Sequence, residues 1–366
     1  MAAKTTQSVQ SRIAQYLYTH PYATKAELGQ ALSISMPTIF SAVNEMFGAN
    51  ILESAGEMDS TGGRKATAIR LNPAYASSLG LSITRSTVQM VLIDLQGEIL
   101  AQKKLSFSFS GSSVDLEKIA NETKNFLKDI SEYPPLLGCG IALPGIIQKE
   151  DKVLSRSHAL NLENYSLTGF EHCFDMELLF ENDANAALLA ERPLANENLT
   201  FLYLGRTVGG TLVSQGKIVQ GDDCRAGEFG HMILYPNGKS CYCGKRGCAD
   251  AYCSLTALMK DQNVPLASFM EKAFSENTEE AGAWYEYLDS LALLSSNLRM
   301  AFDTEILIGG PLSEYIGHDL EKLREKTKPY DRFDKKADYL KTAKIKHAAS
   351  AIGAAEQLFL KKIKHL

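Results

Sequence analysis

The sequence predicts an α/β chain, with an N-terminal winged helix-turn-helix followed by two related lobes. Three observations carry this. Residues 1–72 read as three short helices and a hairpin. Beyond them a strand, tight turn, strand plan occurs twice, once closed by "QGE" and once by "QGK". After the second copy, "GEFGHMILYPNGKSCYCGKRGC" gathers a histidine and three cysteines before a mostly helical remainder.

Composition bounds the possibilities. At 366 residues the chain exceeds one small domain of roughly 100–200 residues. Its 45% hydrophobic content predicts a packed core rather than disorder. A net charge of −5 excludes a polycation, so any nucleic-acid contact must be local. There is no apolar signal region and no run of ~18 apolar residues to span a bilayer, so a cytoplasmic protein without a membrane partner is expected. An odd total of 7 cysteines, three of them crowded beside a histidine, predicts metal ligation in a reducing compartment rather than disulfides.

Each element has its own signal. "VQSRIAQYLYTH" places Val9, Ile13 and Leu17 on one helical face before Pro21. "TKAELGQAL" opens with Thr24 and Glu27 at capping-box spacing and buries Leu28 and Leu32. "SMPTIFSAVNEMF" has Pro37 in its first turn and Ile39, Val43 and Met46 on one face. "NILES" and "KATAIRLN" are extended runs joined by "AGEMDSTGGR", and "LNPAY" is a linker. Then "LGLSITRSTVQMVLIDLQGEILAQKKLSFSF" reads as three strands, followed by a helix near Leu116–Ile130, a buried strand "LLGCGIALPG" and a strand "MELLF". A helix from Ala184 to Glu191 stops before Pro193. "LTFLYLGRTVGGTLVSQGKIVQG" repeats the plan, and strand "EILIGG" and a helix near Ala351–Lys362 close the chain. The duplication suggests two lobes facing a cleft: one of about 73–192 plus the C-terminal helix, the other of about 193–345.

The knuckle has the spacing H-x9-C-x-C-x4-C over His231, Cys241, Cys243 and Cys248. An imidazole with three thiolates suits tetrahedral zinc and leaves no open position for a reacting water, so the zinc is expected to be structural. The helix of a DNA-reading finger is missing.

"GEFGH", "CYCGKRGC", "STGGRKATAIRLNP", "GIALPG", "FENDANAALLAE" and "SAIGAA", in register along the chain, resemble the motifs of the ROK family, named for repressors, open reading frames and kinases. The resemblance implies a two-lobed actin-like ATPase (ribonuclease H-like) fold for 73–366 behind the winged helix-turn-helix. It implies that Asn182, Asp183, Glu228 and His231 hold sugar hydroxyls, His231 with the ring nitrogen that the metal leaves free, and that Asn161 lies near the same pocket. In ROK kinases the residue matching Asp183 is the general base. "ENDAN" also fits a helix N-cap, and both roles can coexist. After the last cysteine the family usually carries Glu; here Asp250 keeps a carboxylate with a shorter reach and is expected at the sugar as well.

ROK kinases carry a "DIGGTK"-like phosphate turn. The matching stretch here, "SITRST", has Ser82 for the acid, Thr84 and Arg85 for glycines and Ser86 for threonine. The second turn reads "GRTVGGT", with Arg206 and Thr207 intruding. A degenerate, non-catalytic kinase lobe is therefore expected, with Asp183 a vestigial base.

At the other end, Ser35, Thr38, Ser41 and Asn44 mark the exposed face of the second motif helix and are expected to meet base edges or phosphates. That helix has no Lys or Arg, which also suits a protein-protein module. "TGGRK" sets Arg64 and Lys65 beside Gly62 and Gly63 for phosphate or a narrow minor groove. The resulting expectation is a sugar-responsive regulator, a probable repressor of carbohydrate genes. Its partners would be operator DNA and a sugar or sugar-phosphate effector; it would form a homodimer or tetramer, and a phosphotransferase-system protein is a further candidate partner. The rival is an ATP-dependent sugar kinase with a regulatory head.

Overall fold

The computed structural model describes residues 7–58, 66–192, 197–259, 264–275 and 277–366. The head begins with α1 (Val9–Thr19), which buries Ile13 and Leu17, and α2 (Lys25–Leu32). Thr24 and Glu27 form the expected capping box: Thr24 Oγ1 accepts from Glu27 N at 3.2 Å and Thr24 N donates to Glu27 Oε2 at 2.7 Å. Leu28 is buried and Leu32 half-buried. In α3 (Met36–Gly48), Pro37 sits where its missing N–H costs nothing, and Ile39, Val43 and Met46 pack inward. β1 (Leu52–Met58) and β2 (Ala66–Leu71) pair antiparallel, and Ala23 bridges to Ile69 on β2. Arg64 and Lys65, with the rest of the wing tip, lie outside the described residues.

After a short 3-10 turn at Pro73–Tyr75 come β3 (Ser77–Ile83), β4 (Thr87–Asp94), β5 (Ile99–Ser106), α4 (Ser113–Lys128) and β6 (Leu136–Leu143). β7 (Ile146–Gln148), β8 (Val153–Ser157) and β9 (Leu162–Ser166) form a small antiparallel sheet, followed by α5 (Thr168–Cys173) and β10 (Leu178–Asn182). Then come α6 (Asp183–Ala190), β11 (Leu199–Leu204), β12 (Val208–Ser214) and β13 (Lys217–Val219). α7 (Asp250–Cys253), α8 (Leu255–Leu258), α9 (Leu266–Ala273) and α10 (Glu279–Phe302) lead to β14 (Glu305–Gly309). α11 (Ser313–His318), α12 (Leu320–Thr327), β15 (Leu340–Thr342) and α13 (Ala349–Lys364) complete the chain.

The duplication is visible in the strand orders. One five-stranded sheet runs β5-β4-β3-β6-β10 and the other β13-β12-β11-β14-β15. In each, a three-stranded antiparallel meander is followed by a strand parallel to its first member. β3 and β4 are buried on both faces, whereas edge strand β5 alternates and is half exposed.

The chain forms two units. The first comprises Met1–Leu143, Leu167–Glu181 and Ala351–Leu366; the second comprises Pro144–Ser166 and Asn182–Ser350. The lobe boundaries therefore differ from those expected, because the β7–β9 sheet and α6 fall in the second unit. α6 packs on β11 and β12, and its apolar residues Ala187 and Leu188 join Leu199, Phe201 and Val213 in one core cluster. The larger core of the second unit is built on α10, whose Leu288, Leu291, Leu294 and Leu298 meet Ile306 and Ile308 of β14. The small sheet, α5 and β15 carry no apolar run long enough to announce them. Among the described residues no helix is long and apolar enough to cross a membrane.

Within the first unit, the Tyr18 hydroxyl of α1 donates to the Glu356 carboxylate of α13. Both residues are buried, Glu356 to 1% exposure. Removing the donor leaves a buried carboxylate short of a partner. Tyr18→Phe should therefore cost about 1–3 kcal/mol, read as a lower urea midpoint at unchanged slope; an unmoved midpoint would mean that the bond contributes nothing.

Candidate functional site

The second unit contains a cavity of about 400 Å³ whose acidic wall forms where β10 becomes α6. Asn182 is the N-cap: its Oδ1 accepts from Ala184 N at 2.9 Å and Asn185 N at 3.1 Å, and its Nδ2 donates to Gly145 O at 2.9 Å. The capping role is thus realised, and the residue also lines the cavity. Asp183 follows in the first turn, its backbone carbonyl accepting from Ser350 Oγ at 2.9 Å. Burial pushes its carboxyl up to about 6, partly opposed by the Ala184 amide, with the nearby Glu228 charge adding to the rise. Glu228 is itself raised by burial, against the pull of Arg225.

Glu228 and His231 come from a short 3-10 turn, Phe229–His231. Gly227 introduces that turn with φ +94°, and a Cβ there would stand 2.2 Å from Gly210 O. Only glycine, which lacks a Cβ, tolerates both that dihedral and that approach. His231 Nδ1 faces Cys241 Sγ at 3.8 Å, while Nε2 faces Glu228 Oε2 at 3.8 Å. One nitrogen is thus turned to the cysteines and the other to the cavity's carboxylate.

The four knuckle residues converge. One ligand atom from each of His231, Cys241, Cys243 and Cys248 lies within 4.8 Å of all the others, and the Cys243 and Cys248 sulfurs are 3.7 Å apart. Thiolates bound at ~2.3 Å on the corners of a tetrahedron would be nearly that far apart, so the donor set fits a metal ion. Gly247, at φ +83°, lets the chain pass where a Cβ would lie 1.8 Å from Tyr235 O.

Two expected positions are not brought to the cavity. Asn161 is an exposed residue with φ +58°, in the turn whose His158 lines the wall instead. Asp250 is buried, and its Oδ2 accepts from Val208 N at 2.7 Å, so its shorter side chain is spent on the backbone behind the wall. The structure adds residues the sequence reading did not single out. Tyr242, between two of the knuckle cysteines, lines the cavity with Arg156, Arg225 and Lys245. A lone Tyr inside "CYC" carries no sequence signal of its own, and the cations were invisible without the fold.

The hairpin turn after β3 lies in the first unit. Thr84 Oγ1 accepts from Thr87 N at 3.0 Å and Ser86 N at 3.4 Å, while Thr84 N donates to Thr87 O at 2.9 Å. The amides of Thr84, Ser86 and Thr87 are therefore bonded within the turn. In the head, Ser35, Thr38, Ser41 and Asn44 of the α3 segment are all exposed. Ser35 and Thr38 share a 2.8 Å hydrogen bond, and Ser41 donates to Glu45 at 3.0 Å.

The burial of Asp183 has a pH signature. Its carboxyl is raised above the ordinary 3.8 to about 6, so the ionised form weakens the fold above that pH, and the penalty fades as pH falls through 6 toward 3.8. Asp183→Asn keeps an acceptor for Ala184 N. It should raise thermal stability at pH 8 by on the order of 1 kcal/mol, since partial exposure screens the effect, with the gain vanishing near pH 4. Equal melting temperatures for both proteins at every pH would contradict the burial penalty.

Comparison with known proteins places these features in context. The ROK family profile matches residues 78–361. The xylose repressor of Bacillus spizizenii is 26% identical over 243 residues, covering 65% of this chain and 63% of that repressor, just under two thirds of its length. The glucokinase of Thermotoga maritima is 27% identical over 279 residues, covering 69% of this chain and 87% of the kinase. Among solved structures, a ROK family transcriptional regulator described as a homologue of the Escherichia coli MLC protein superposes with a TM-score of 0.75 at 18% identity, covering 98% of both chains. That likeness concerns the fold, head included.

Proposed function

The chain belongs to the ROK family, and on that premise we propose that it is a sugar-responsive, DNA-binding transcriptional regulator acting in the cytoplasm. One contrast carries the reading. The cavity keeps Asn182, Asp183, Glu228 and His231 on its walls, whereas the phosphate turn is closed on itself by Thr84. A hexose or pentose offers hydroxyls as directional donors and acceptors, which carboxylates, an amide and an imidazole can meet. A nucleotide triphosphate needs free amides and an acid for Mg²⁺; here Ser82 stands in the acid's place and the Ser86 and Thr87 amides are taken by Thr84. The relatives named xylose repressor make a repressor of carbohydrate genes the preferred form and D-xylose the first probe.

The metal we assign to His231, Cys241, Cys243 and Cys248 is zinc, held by protein ligands alone. With no open position it would take no part in bond making; it would fix the knuckle and orient His231, whose Nε2 then serves the sugar. Purified protein should carry one zinc per chain by atomic absorption. Cys248→Ser should lose it and melt several degrees lower, and a variant with full metal and an unchanged melt would rule out this ligand.

The exposed polar face of α3 is the proposed major-groove reader, with Arg64 and Lys65 as wing contacts. A homodimer or tetramer would place two heads on a palindromic operator. Sugar would release DNA by favouring one of two states, with coupling of about 1–3 kcal/mol; control by a phosphotransferase-system protein is the variant that a pull-down would separate. Thr38→Asp should weaken operator binding at least about ten-fold in a gel shift, and saturating effector should weaken the wild type. Unchanged affinity in both would refute the regulator. The T. maritima glucokinase keeps a kinase reading in view: turnover of ATP with any sugar at about 1 s⁻¹ or faster, an ordinary kinase rate, would restore it.

A further inference from the structure

Tyr242 occupies an unusual place. It is flanked in sequence by Cys241 and Cys243, both in the His/Cys cluster, so a bound metal would clamp the backbone on either side of it. Its ring meets His158 at 5.1 Å and 53°, and His231 at 5.4 Å and 74°. Both contacts are tilted or edge-on, so neither imidazole covers the ring face to face. Its hydroxyl reaches Asp250 Oδ2 at a long 3.4 Å. With these restraints, 49% of the residue is still exposed, and it lines the cavity. A large aromatic residue left open in this way is explained neither by core packing nor by so long a hydrogen bond.

Elsewhere on the walls Asn182, Asp183, Glu228 and Arg225 offer hydrogen bonds and charge, while Pro144, Ile146 and Val208 add small apolar patches but no aromatic face. A monosaccharide has two kinds of surface, an equator of hydroxyls and patches of C–H bonds. The hydroxyls match the carboxylates and the amide. The C–H patches gain from leaving water only against an apolar, polarisable surface, which an aromatic ring supplies. The Asp250 carboxylate, bound to Val208 N, is not among the groups that line the cavity.

We propose that Tyr242 is the stacking wall of the sugar site and the residue that sets which sugars are accepted. This rests on the sugar-binding reading given above. The ring takes the C–H face of the sugar and refuses isomers whose hydroxyl would point into it, since a hydroxyl pressed on the ring loses its water without a partner. The zinc knuckle thereby acts as a mount for the ring, and loss of the metal would loosen the ring together with His231.

The test is calorimetric titration of wild type, Tyr242→Phe, Tyr242→Leu and Tyr242→Ala with D-xylose, D-glucose, N-acetylglucosamine and glucose 6-phosphate, with zinc content measured on each. Tyr242→Phe should bind within about two-fold of wild type, because the hydroxyl is not the contact. Tyr242→Ala should lose about ten-fold on the best ligand and compress the spread among the four, with Tyr242→Leu between the two. If Tyr242→Ala loses zinc, Tyr242→Leu with full metal decides, and wild-type affinity in that variant refutes the proposal. Equal affinity and equal ranking in wild type and a zinc-replete Tyr242→Ala also refute it. Should Asp183→Ala abolish binding while Tyr242→Ala does not, the sugar site stands and only the role of Tyr242 falls. Should the wild type bind none of the four, the sugar reading falls and this one with it.

Discussion

The geometry of the site depends on how closely one turn approaches one strand. Gly227 leads the Glu228–His231 turn onto β12, so close to Gly210 O that a methyl group would not fit. On the same strand lies α6, whose first turn carries Asp183. β12 is therefore the common floor from which both carboxylates are measured, and their mutual repulsion, added to burial, is a direct result. His231 ends the turn and begins the knuckle, with one nitrogen toward each. A displacement of the turn would move the cavity's Glu228 and the cluster's His231 together.

The two five-stranded sheets share an order, yet their hairpin turns have diverged in chemistry. After β3, the side chain of Thr84 is the acceptor for the amides of Ser86 and Thr87. After β11, the turn is pinned from another direction: Asp250 takes the amide of Val208, and Thr256 Oγ1 donates to the Arg206 carbonyl at 2.7 Å. The amides of Ser86 and Thr87 in one turn, and of Val208 in the other, are thus bound by side chains of the protein itself.

The fold was legible where the sequence repeats a rule. The capping box at Thr24, the apolar face of α3 and the duplicated meander each show periodicity or chemistry that survives without context. The knuckle was legible because one histidine and three cysteines at that spacing have few other uses. The β7–β9 sheet was not, since its strands are short and partly polar. Asn161, expected near the pocket, shares a loop with His158, and it is His158 that lines the wall. Asp250 reads as a ligand until its reach is measured, because a carboxylate one methylene shorter finds Val208 N first.

Asp183 does not by itself distinguish a sensor from a catalyst. A carboxyl raised to about 6 is what a general base for a sugar hydroxyl needs near neutral pH, and it is equally an acceptor that gains from a hydroxyl once water has left the cavity. The distinction lies with the second substrate. Deprotonating a hydroxyl achieves nothing without an electrophile in line with it, and bringing a phosphoryl group there takes unspent amides and a metal-holding acid. At the matching turn Thr84 Oγ1 holds the amides of Ser86 and Thr87, and Ser82 of β3 offers a hydroxyl rather than an acid. On the regulator reading proposed above, the binding energy of a ligand in this cavity goes into choosing between two states of the protein.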